Sequence, residues 1–194
     1  MIDPFDKKIG LRPPGGKADV VVVTHDHHDH NNVSALSGDP LVISGPGEYD
    51  IKGVFIKGLS GYHDAKEGKE RGRVTMYVFE MEDLKICHLG DFGQSELTQE
   101  QIEQIGDIDI LMVPVGGVYT IDAEGAQKIV NQIEPAITIP MHYHVPGLSV
   151  KLEKVEEFLK AMGVKNSETL PRLTLKKKDI NPEETKIVVM ELGG

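Results

Sequence analysis

The feature that most constrains the fold is the run Val20-Val21-Val22-Val23, which leads directly into Thr24-His25-Asp26-His27-His28-Asp29-His30. Four consecutive β-branched residues predict a strand that is buried on both faces, as strands are between two other layers. The polar residues that follow lie at the end of this strand, where α/β proteins usually place ligand sites. We therefore expect a core strand that delivers histidines to a functional site.

The spacing of these histidines indicates metal binding. His25 and His27 are two residues apart, so both imidazoles project to the same side of an extended backbone and can bind one ion. Asp29 and His30 follow where the chain must turn, and they can serve a second, neighbouring ion, as two-metal hydrolytic sites require. The alternative is a surface loop that is merely rich in histidine, but such tracts are usually terminal or of low complexity.

The composition limits the classes of function. A length of 194 residues suits one domain with a substantial core, so we expect a single domain over residues 1–194. The net charge of -10 argues against a nucleic-acid partner and favours a small-molecule substrate. The single cysteine, Cys87, excludes an internal disulfide and fits a reducing cytoplasm. Neither a membrane-spanning segment nor a signal peptide is visible, so we predict a cytoplasmic protein without membrane association.

The order of the predicted elements indicates an α/β fold. A tight turn at Glu82-Asp83 predicts a hairpin, and Thr98 with Gln101 resembles a capping box at the start of a helix. Strands are expected at residues 20–23, 41–43, 54–59, 74–81, 84–89, 108–115, 136–140, 173–175 and 186–192, and helices at residues 98–105, 122–133 and 149–162. Strands come first and then alternate with helices, which suits two packed sheets with helices outside them.

All eight histidines fall in four places, and each place follows a predicted strand. Histidines used for packing or solubility would be scattered, so we expect the four places to converge on one pocket. They are the opening loop, Gly61-Tyr62-His63-Asp64, Cys87-His88-Leu89-Gly90-Asp91 and Met141-His142-Tyr143-His144.

The order of these motifs resembles that of the metal-binding motifs of the metallo-β-lactamase superfamily. Four segments more narrowly resemble the branch that contains the L-ascorbate-6-phosphate lactonase-like hydrolases: Gly61-Tyr62-His63, His88-Leu89-Gly90-Asp91-Phe92-Gly93, Val113-Pro114-Val115-Gly116-Gly117 and Ile139-Pro140-Met141-His142-Tyr143. The resemblance covers nearly the whole chain from Ile2 onward and implies a four-layer αββα sandwich. Members of the branch normally begin with two further strands, so we expect a form without this N-terminal hairpin. The sheet edge thereby exposed makes a homo-oligomer a further expectation.

The resemblance implies a hydrolase that depends on two divalent metal ions. The first ion would be bound by His25, His27 and His63, and the second by Asp29, His30 and His142, with Asp91 bridging the two. Other readings are open for three of these residues: His63 as a loop histidine, Asp91 as the cap of a turn, and His142 as a core histidine. Zinc is the first expectation, and manganese and iron stay open because imidazole and carboxylate ligands accept all three.

A mechanism follows from this ligand set. Two neighbouring cations lower the pKa of a shared water toward about 7, so that a metal-bound hydroxide can attack a small ester, lactone or phosphoester. Asp29 is expected to orient the nucleophile while it ligates. His144 or Tyr143 could protonate the leaving group, although an aromatic side chain beside a pocket is as often a wall of it.

Residues next to the ligands are expected to support them. Asp26 and His28 alternate away from the metal-binding pair, so exposure or a supporting role is predicted for both, and a structural role is predicted for His88. Two further functional readings remain. One is a phosphodiesterase or nuclease of the same fold, which the acidic charge disfavours, and the other is a non-catalytic metal-binding domain.

Overall fold

The computed structural model describes residues 1–165, 167–181 and 184–192. These residues contain three α-helices, α1 (Gln99–Ile105), α2 (Ala123–Ile133) and α3 (Val155–Ala161). They also contain ten strands, β1 (Lys17–Val23), β2 (Ser37–Ser44), β3 (Gly47–Ile51), β4 (Val54–Tyr62), β5 (Arg73–Met81), β6 (Leu84–His88), β7 (Ile110–Pro114), β8 (Ile137–Met141), β9 (Glu168–Leu170) and β10 (Lys186–Met190). No helix in this part of the chain has the length and apolar character needed to cross a membrane.

The strands form two sheets. β1 pairs in parallel with β2, and the backbone of Val22 also bonds to Met1 and Asp3, so residues 1–3 lie along the other edge of β1. The other eight strands form one sheet in the order β3-β4-β5-β6-β7-β8-β10-β9. The pairs β3-β4, β4-β5 and β5-β6 are antiparallel, whereas the pairs β6-β7, β7-β8, β8-β10 and β10-β9 are parallel.

This topology brings several strand ends together. β4 runs in the same direction as β6 because both are antiparallel to β5, and β7 and β8 are parallel to β6. The carboxyl ends of β4, β6, β7 and β8 therefore lie at one edge of the large sheet. A hydrogen bond of 2.8 Å from Thr75 N–H to the Thr24 carbonyl brings the end of β1 to the same edge.

The core lies on both faces of the large sheet. Between the sheet and the helices, an apolar cluster includes Cys87, Leu111, Ile129 and Phe158, all fully buried. Burial raises the pKa of the Cys87 thiol to about 12, in keeping with its prediction as a core residue. On the opposite face, a cluster of Val22, Ile43, Ile56 and Tyr77 joins the two sheets.

Three local predictions are confirmed. Met81 pairs with Leu84 across a two-residue turn in which Glu82 and Asp83 have φ values of 50° and 63°, the left-handed geometry of a tight hairpin. Thr98 accepts from Gln101 N–H while the Gln101 side chain accepts from Thr98 N–H, which is the predicted capping box. The predicted helix at residues 122–133 forms as α2.

The helix predicted at residues 149–162 is wrong in its first half. α3 begins at Val155, and residues 149–154 are not helical. Ser149 N–H donates to the Ile9 carbonyl and Glu153 N–H donates to the Gly116 carbonyl, at 2.8 and 2.9 Å. These long-range hydrogen bonds satisfy the backbone without a helix, so tertiary structure overrides the local apolar periodicity.

The strand predicted at residues 173–175 is also wrong. Leu173 and Leu175 lie outside any strand and pack against an apolar cluster of the large sheet, while β9 pairs with β10 instead. Strand β3 was not predicted, because its sequence, Gly47-Glu48-Tyr49-Asp50-Ile51, is largely polar. Its partner β4 supplies the hydrogen bonds that the local sequence does not indicate.

Tyr77 connects the large sheet to the strand that carries the first histidines. Its buried hydroxyl accepts from Gly45 N–H at 2.9 Å and donates to the Val23 carbonyl at 3.2 Å. We predict that Tyr77→Phe lowers the free energy of unfolding by about 1–3 kcal/mol, because buried backbone groups lose their partner. Urea unfolding would measure this loss. Tyr49→Phe is the matched control, since the half-buried Tyr49 hydroxyl makes no hydrogen bond to the described residues; equal losses in both variants would contradict the prediction.

Candidate metal centre

Four imidazoles from three segments of the chain surround the carboxylate of Asp91. Asp91 Oδ2 lies 3.4 Å from His30 Nε2, 3.4 Å from His63 Nε2, 3.5 Å from His142 Nε2 and 3.9 Å from His25 Nε2. Asp91 is buried, so this charge is largely screened from solvent by the imidazoles themselves. The structure thus brings together residues that the sequence separates by more than 110 positions, with Asp91 at the centre.

The strand ends explain this convergence. His63 directly follows β4, the Gly90-Asp91 turn follows β6, and His142 directly follows β8. His25 comes two residues after β1, where Thr24 is bonded to β5. Since these ends share one edge of the sheet, His25, His63, Asp91 and His142 reach the centre within three residues of the ends of their strands.

Close backbone packing also holds the segments in place. Gly90 has φ +58°, and a Cβ there would lie 2.8 Å from the Val74 side chain. A Cβ at Gly93 would lie 2.5 Å from the backbone carbonyl of His63. Glycine at these two positions lets the segment after β6 pack closely against Val74 of β5 and Thr24 on one side and against the backbone of His63 on the other.

Asp3 organises the histidine loop from outside it. Its Oδ1 accepts from Thr24 N–H at 2.8 Å, and its Oδ2 accepts from the Thr24 hydroxyl at 2.6 Å and from His30 Nδ1 at 3.0 Å. Burial opposes ionisation of Asp3, but the hydrogen bond from His30 and the charge of that imidazole outweigh it and lower the pKa of the carboxyl. Asp3 therefore fixes the orientation of His30 with Nε2 directed at Asp91.

The same contacts determine the tautomer of His25. The Thr24 hydroxyl donates its one hydrogen bond to Asp3, so at 3.0 Å from His25 Nδ1 it can only accept a hydrogen bond from that nitrogen. His25 consequently carries its proton on Nδ1 and a lone pair on Nε2. Burial lowers the pKa of His25 to about 3, which keeps the ring neutral at physiological pH.

These residues fit a divalent cation. His25 Nε2 is buried and has no hydrogen-bond partner among the described residues, a costly state that a bound cation would relieve. The ligand atoms of His25, His27 and His63 lie within 4.8 Å of one another, as do those of Asp3, His25 and His30. Neutral imidazoles with a carboxylate are a suitable donor set for zinc, manganese or iron.

The carboxylates of Asp3 and Asp91 favour the protonated form of His30. Burial disfavours the imidazolium, but hydrogen bonds to Asp3 and Asp91 outweigh burial and raise the pKa of His30 to about 10. Burial likewise opposes the charge of Asp91, and the hydrogen bond from His30 with the charge of the neighbouring imidazoles keeps the pKa of Asp91 well below its usual value. Asp91 is therefore ionised at physiological pH, and its carboxylate can bind a cation.

The remaining predicted residues lie at different distances from this centre. Asp29 Oδ2 is 3.9 Å from His30 Nε2, so the structure brings Asp29 to the cluster. Asp26 and His28 are exposed, as their spacing predicts. The Tyr143 hydroxyl donates to the Met190 carbonyl at 3.2 Å. His144 is exposed, and its ring makes no hydrogen bond to the described residues.

His88 has a supporting position. Its buried ring accepts a hydrogen bond from Gly90 N–H on Nδ1 at 3.1 Å, which holds the turn directly before Asp91. Burial lowers the pKa of His88 and keeps the ring neutral, as this acceptor role requires. This contact agrees with the structural role predicted for His88. Asp3, in contrast, was not among the predicted site residues.

Comparisons with known proteins identify the family. The β-lactamase superfamily domain matches residues 1–142. A UPF0173 metal-dependent hydrolase of Pyrococcus horikoshii is 30% identical, with 85% of each chain covered, and one of Thermoplasma acidophilum is 31% identical, with 74% of this chain and 75% of that protein covered. A solved structure of a proposed Zn-dependent hydrolase of the metallo-β-lactamase superfamily, from Thermotoga maritima, is 39% identical with a TM-score of 0.77 and covers 97% of this chain and 87% of that chain.

The chain therefore belongs to the metallo-β-lactamase superfamily and, within it, to the UPF0173 metal-dependent hydrolases. The predicted α/β fold of this superfamily is confirmed, with a large mixed sheet and few helices. The narrower resemblance to the L-ascorbate-6-phosphate lactonase-like branch stays a prediction.

The Asp3 contacts can be tested through metal affinity. We predict that Asp3→Asn weakens metal binding by roughly 10–100-fold, because an amide cannot accept from both Thr24 and His30 in the way that a carboxylate does. Competition with a chromophoric chelator would measure the change. Asp19→Asn removes an exposed carboxylate and is the control. Unchanged affinity in the Asp3 variant would show that His30 needs no such partner.

Proposed function

We propose that the protein is a hydrolase that uses two divalent cations, with zinc the first candidate. The observation that supports this most strongly is the buried Asp91 carboxylate among four imidazole nitrogens, one of which has no other partner. The zinc dependence proposed for the Thermotoga maritima relative agrees with this donor set. In this proposal the first cation is bound by His25, His27 and His63, the second by Asp29, His30 and His142, and both by Asp91.

When bound, two such cations acidify water and polarise an oxygen of the substrate, which supplies both the nucleophile and the stabilisation of developing negative charge. The protein contributes the arrangement of the ligands. Thr24 holds His25 in the tautomer with its lone pair on Nε2, and Asp3 accepts from His30 Nδ1 so that His30 Nε2 faces the centre. Asp29 is partly exposed at the edge of the cluster, where its carboxylate can accept a hydrogen bond from the attacking water.

The proposed substrate is a small ester, lactone or phosphoester in the cytoplasm. A net charge of -10 supports a small molecule over a nucleic acid as substrate, because a phosphate backbone requires a basic surface. The sequence resemblance to L-ascorbate-6-phosphate lactonase-like hydrolases supports attack at a carbonyl centre. The cavity next to Asp29 and His142 provides space for such a molecule.

The bridging role of Asp91 can be tested by metal analysis. We predict that Asp91→Asn loses about one of two metal equivalents and lowers kcat/KM by roughly 100-fold or more, since the carboxylate offsets the repulsion between two close cations. Elemental analysis of protein purified without added metal, followed by hydrolysis of an ester, lactone and phosphoester panel, would measure both. Asp39→Asn alters an exposed carboxylate and is the matched control.

The outcomes separate the alternatives. Full metal content and full activity in the Asp91 variant would rule out the bridging role. Two metal equivalents without turnover of any substrate in the panel would favour a non-catalytic metal-binding domain. Turnover restricted to bis-p-nitrophenyl phosphate would favour a phosphodiesterase of the same fold.

A further inference from the structure

An apolar cavity of about 410 Å³ opens directly beside the candidate metal centre. Asp29, His30, Asp91 and His142 are among the residues that line it, so a molecule in the cavity can contact the centre. We propose that this cavity binds the apolar group of an uncharged carboxylic ester or lactone, and not a phosphoester. This inference rests on the proposed hydrolase function and specifies its substrate class.

The walls of the cavity are aliphatic and aromatic. They come from the N-terminal segment, from the large sheet and from the non-helical segment before α3, and include Phe5, Leu11, Met112, Ile139, Val150 and Leu152. Three distant segments thus contribute apolar side chains to one space whose volume is typical of small-molecule sites. An acyl chain of medium length buried here would gain roughly fourfold in affinity for each methylene removed from water.

The side chains around the cavity disfavour an anionic substrate group away from the metal centre. The charged side chains that line it are the carboxylates of Asp3, Asp29, Asp91 and Glu191 and the imidazolium of His30, which already contacts Asp3 and Asp91. No lysine or arginine is among the described residues of the lining. Sites that recognise phosphate groups normally provide arginine or lysine for charge-assisted hydrogen bonds. A neutral ester carbonyl avoids repulsion from these carboxylates and needs no cationic side chain outside the metal centre.

Binding by the metal-free protein tests this inference without any turnover. Titration calorimetry would compare octanamide, an uncharged analogue of a medium-chain ester, with acetamide. We expect octanamide to bind at least tenfold more tightly, and Val150→Trp, which fills the cavity, to reduce that preference at least tenfold. Leu148→Trp, on the same wall, is the second variant if the first does not fold. Leu41→Trp, at an exposed position of β2 outside the cavity, is the control and should retain the preference.

Hydrolysis by the metal-loaded protein provides the second measurement. We expect kcat/KM to be at least tenfold higher for p-nitrophenyl octanoate than for p-nitrophenyl acetate. The value for the octanoate should also exceed that for p-nitrophenyl phosphate. In the Val150→Trp variant, kcat/KM should no longer depend on the length of the acyl chain. Ester hydrolysis without chain-length dependence, preference for the phosphate, or equal binding of the two amides would overturn the proposal. If no substrate is hydrolysed but octanamide binds in the cavity, the hydrolase function fails while the ligand class of the cavity stands.

Discussion

The candidate metal centre depends on one partly buried carboxylate, that of Asp3, which is not itself among the predicted ligands. Asp3 lies beside Thr24 only because the backbone of Val22 bonds to Met1 and Asp3, which sets the register of residues 1–3 along β1. A shift of one residue would turn the carboxylate to the opposite face. The orientation of both His25 and His30 therefore depends on backbone pairing several residues before the histidine loop.

The electrostatics of the centre follow from this arrangement. Because the Thr24 hydroxyl donates to Asp3, it accepts a hydrogen bond from His25 Nδ1. The neutral His25 ring therefore has its lone pair on Nε2, which faces the centre. His30 contacts both Asp3 and Asp91 and is held in its charged form, so in the cation-free protein it balances part of the negative charge. A bound divalent cation would replace that proton, because a metal ligand must offer its lone pair.

The parts of this structure that the sequence predicts are those with a local signal. The hairpin at Glu82-Asp83, the capping box at Thr98 and the strand ends that precede histidines each depend on neighbouring residues. Asp3 carries no comparable signal, since a single aspartate after an apolar residue is common in loops. The pairing of residues 1–3 with β1 depends on long-range backbone hydrogen bonds of Val22, which residue spacing does not reveal.

The helix predicted at residues 149–162 fails for a related reason. Its apolar spacing is helical throughout, yet contacts of Ser149 with Ile9 and of Glu153 with Gly116 hold the first half open. The same open segment contributes Val150 and Leu152 to the cavity wall. The error in secondary structure and the failure to predict this apolar wall of the pocket thus have one cause, because both depend on long-range contacts.

The metal-binding residues and the residues that would recognise a substrate lie on different parts of the fold. The centre is built from backbone-anchored ends of β1, β4, β6 and β8, which leave little freedom in the placement of its ligands. The cavity is built largely from segments outside these strands, where side chains can change without disturbing the sheet. Apolar walls also lower the local dielectric and strengthen the attraction between the carboxylates and any bound cation. A superfamily with this division can keep one metal chemistry while its members differ in substrate, so fold and ligand set alone do not define what the protein hydrolyses.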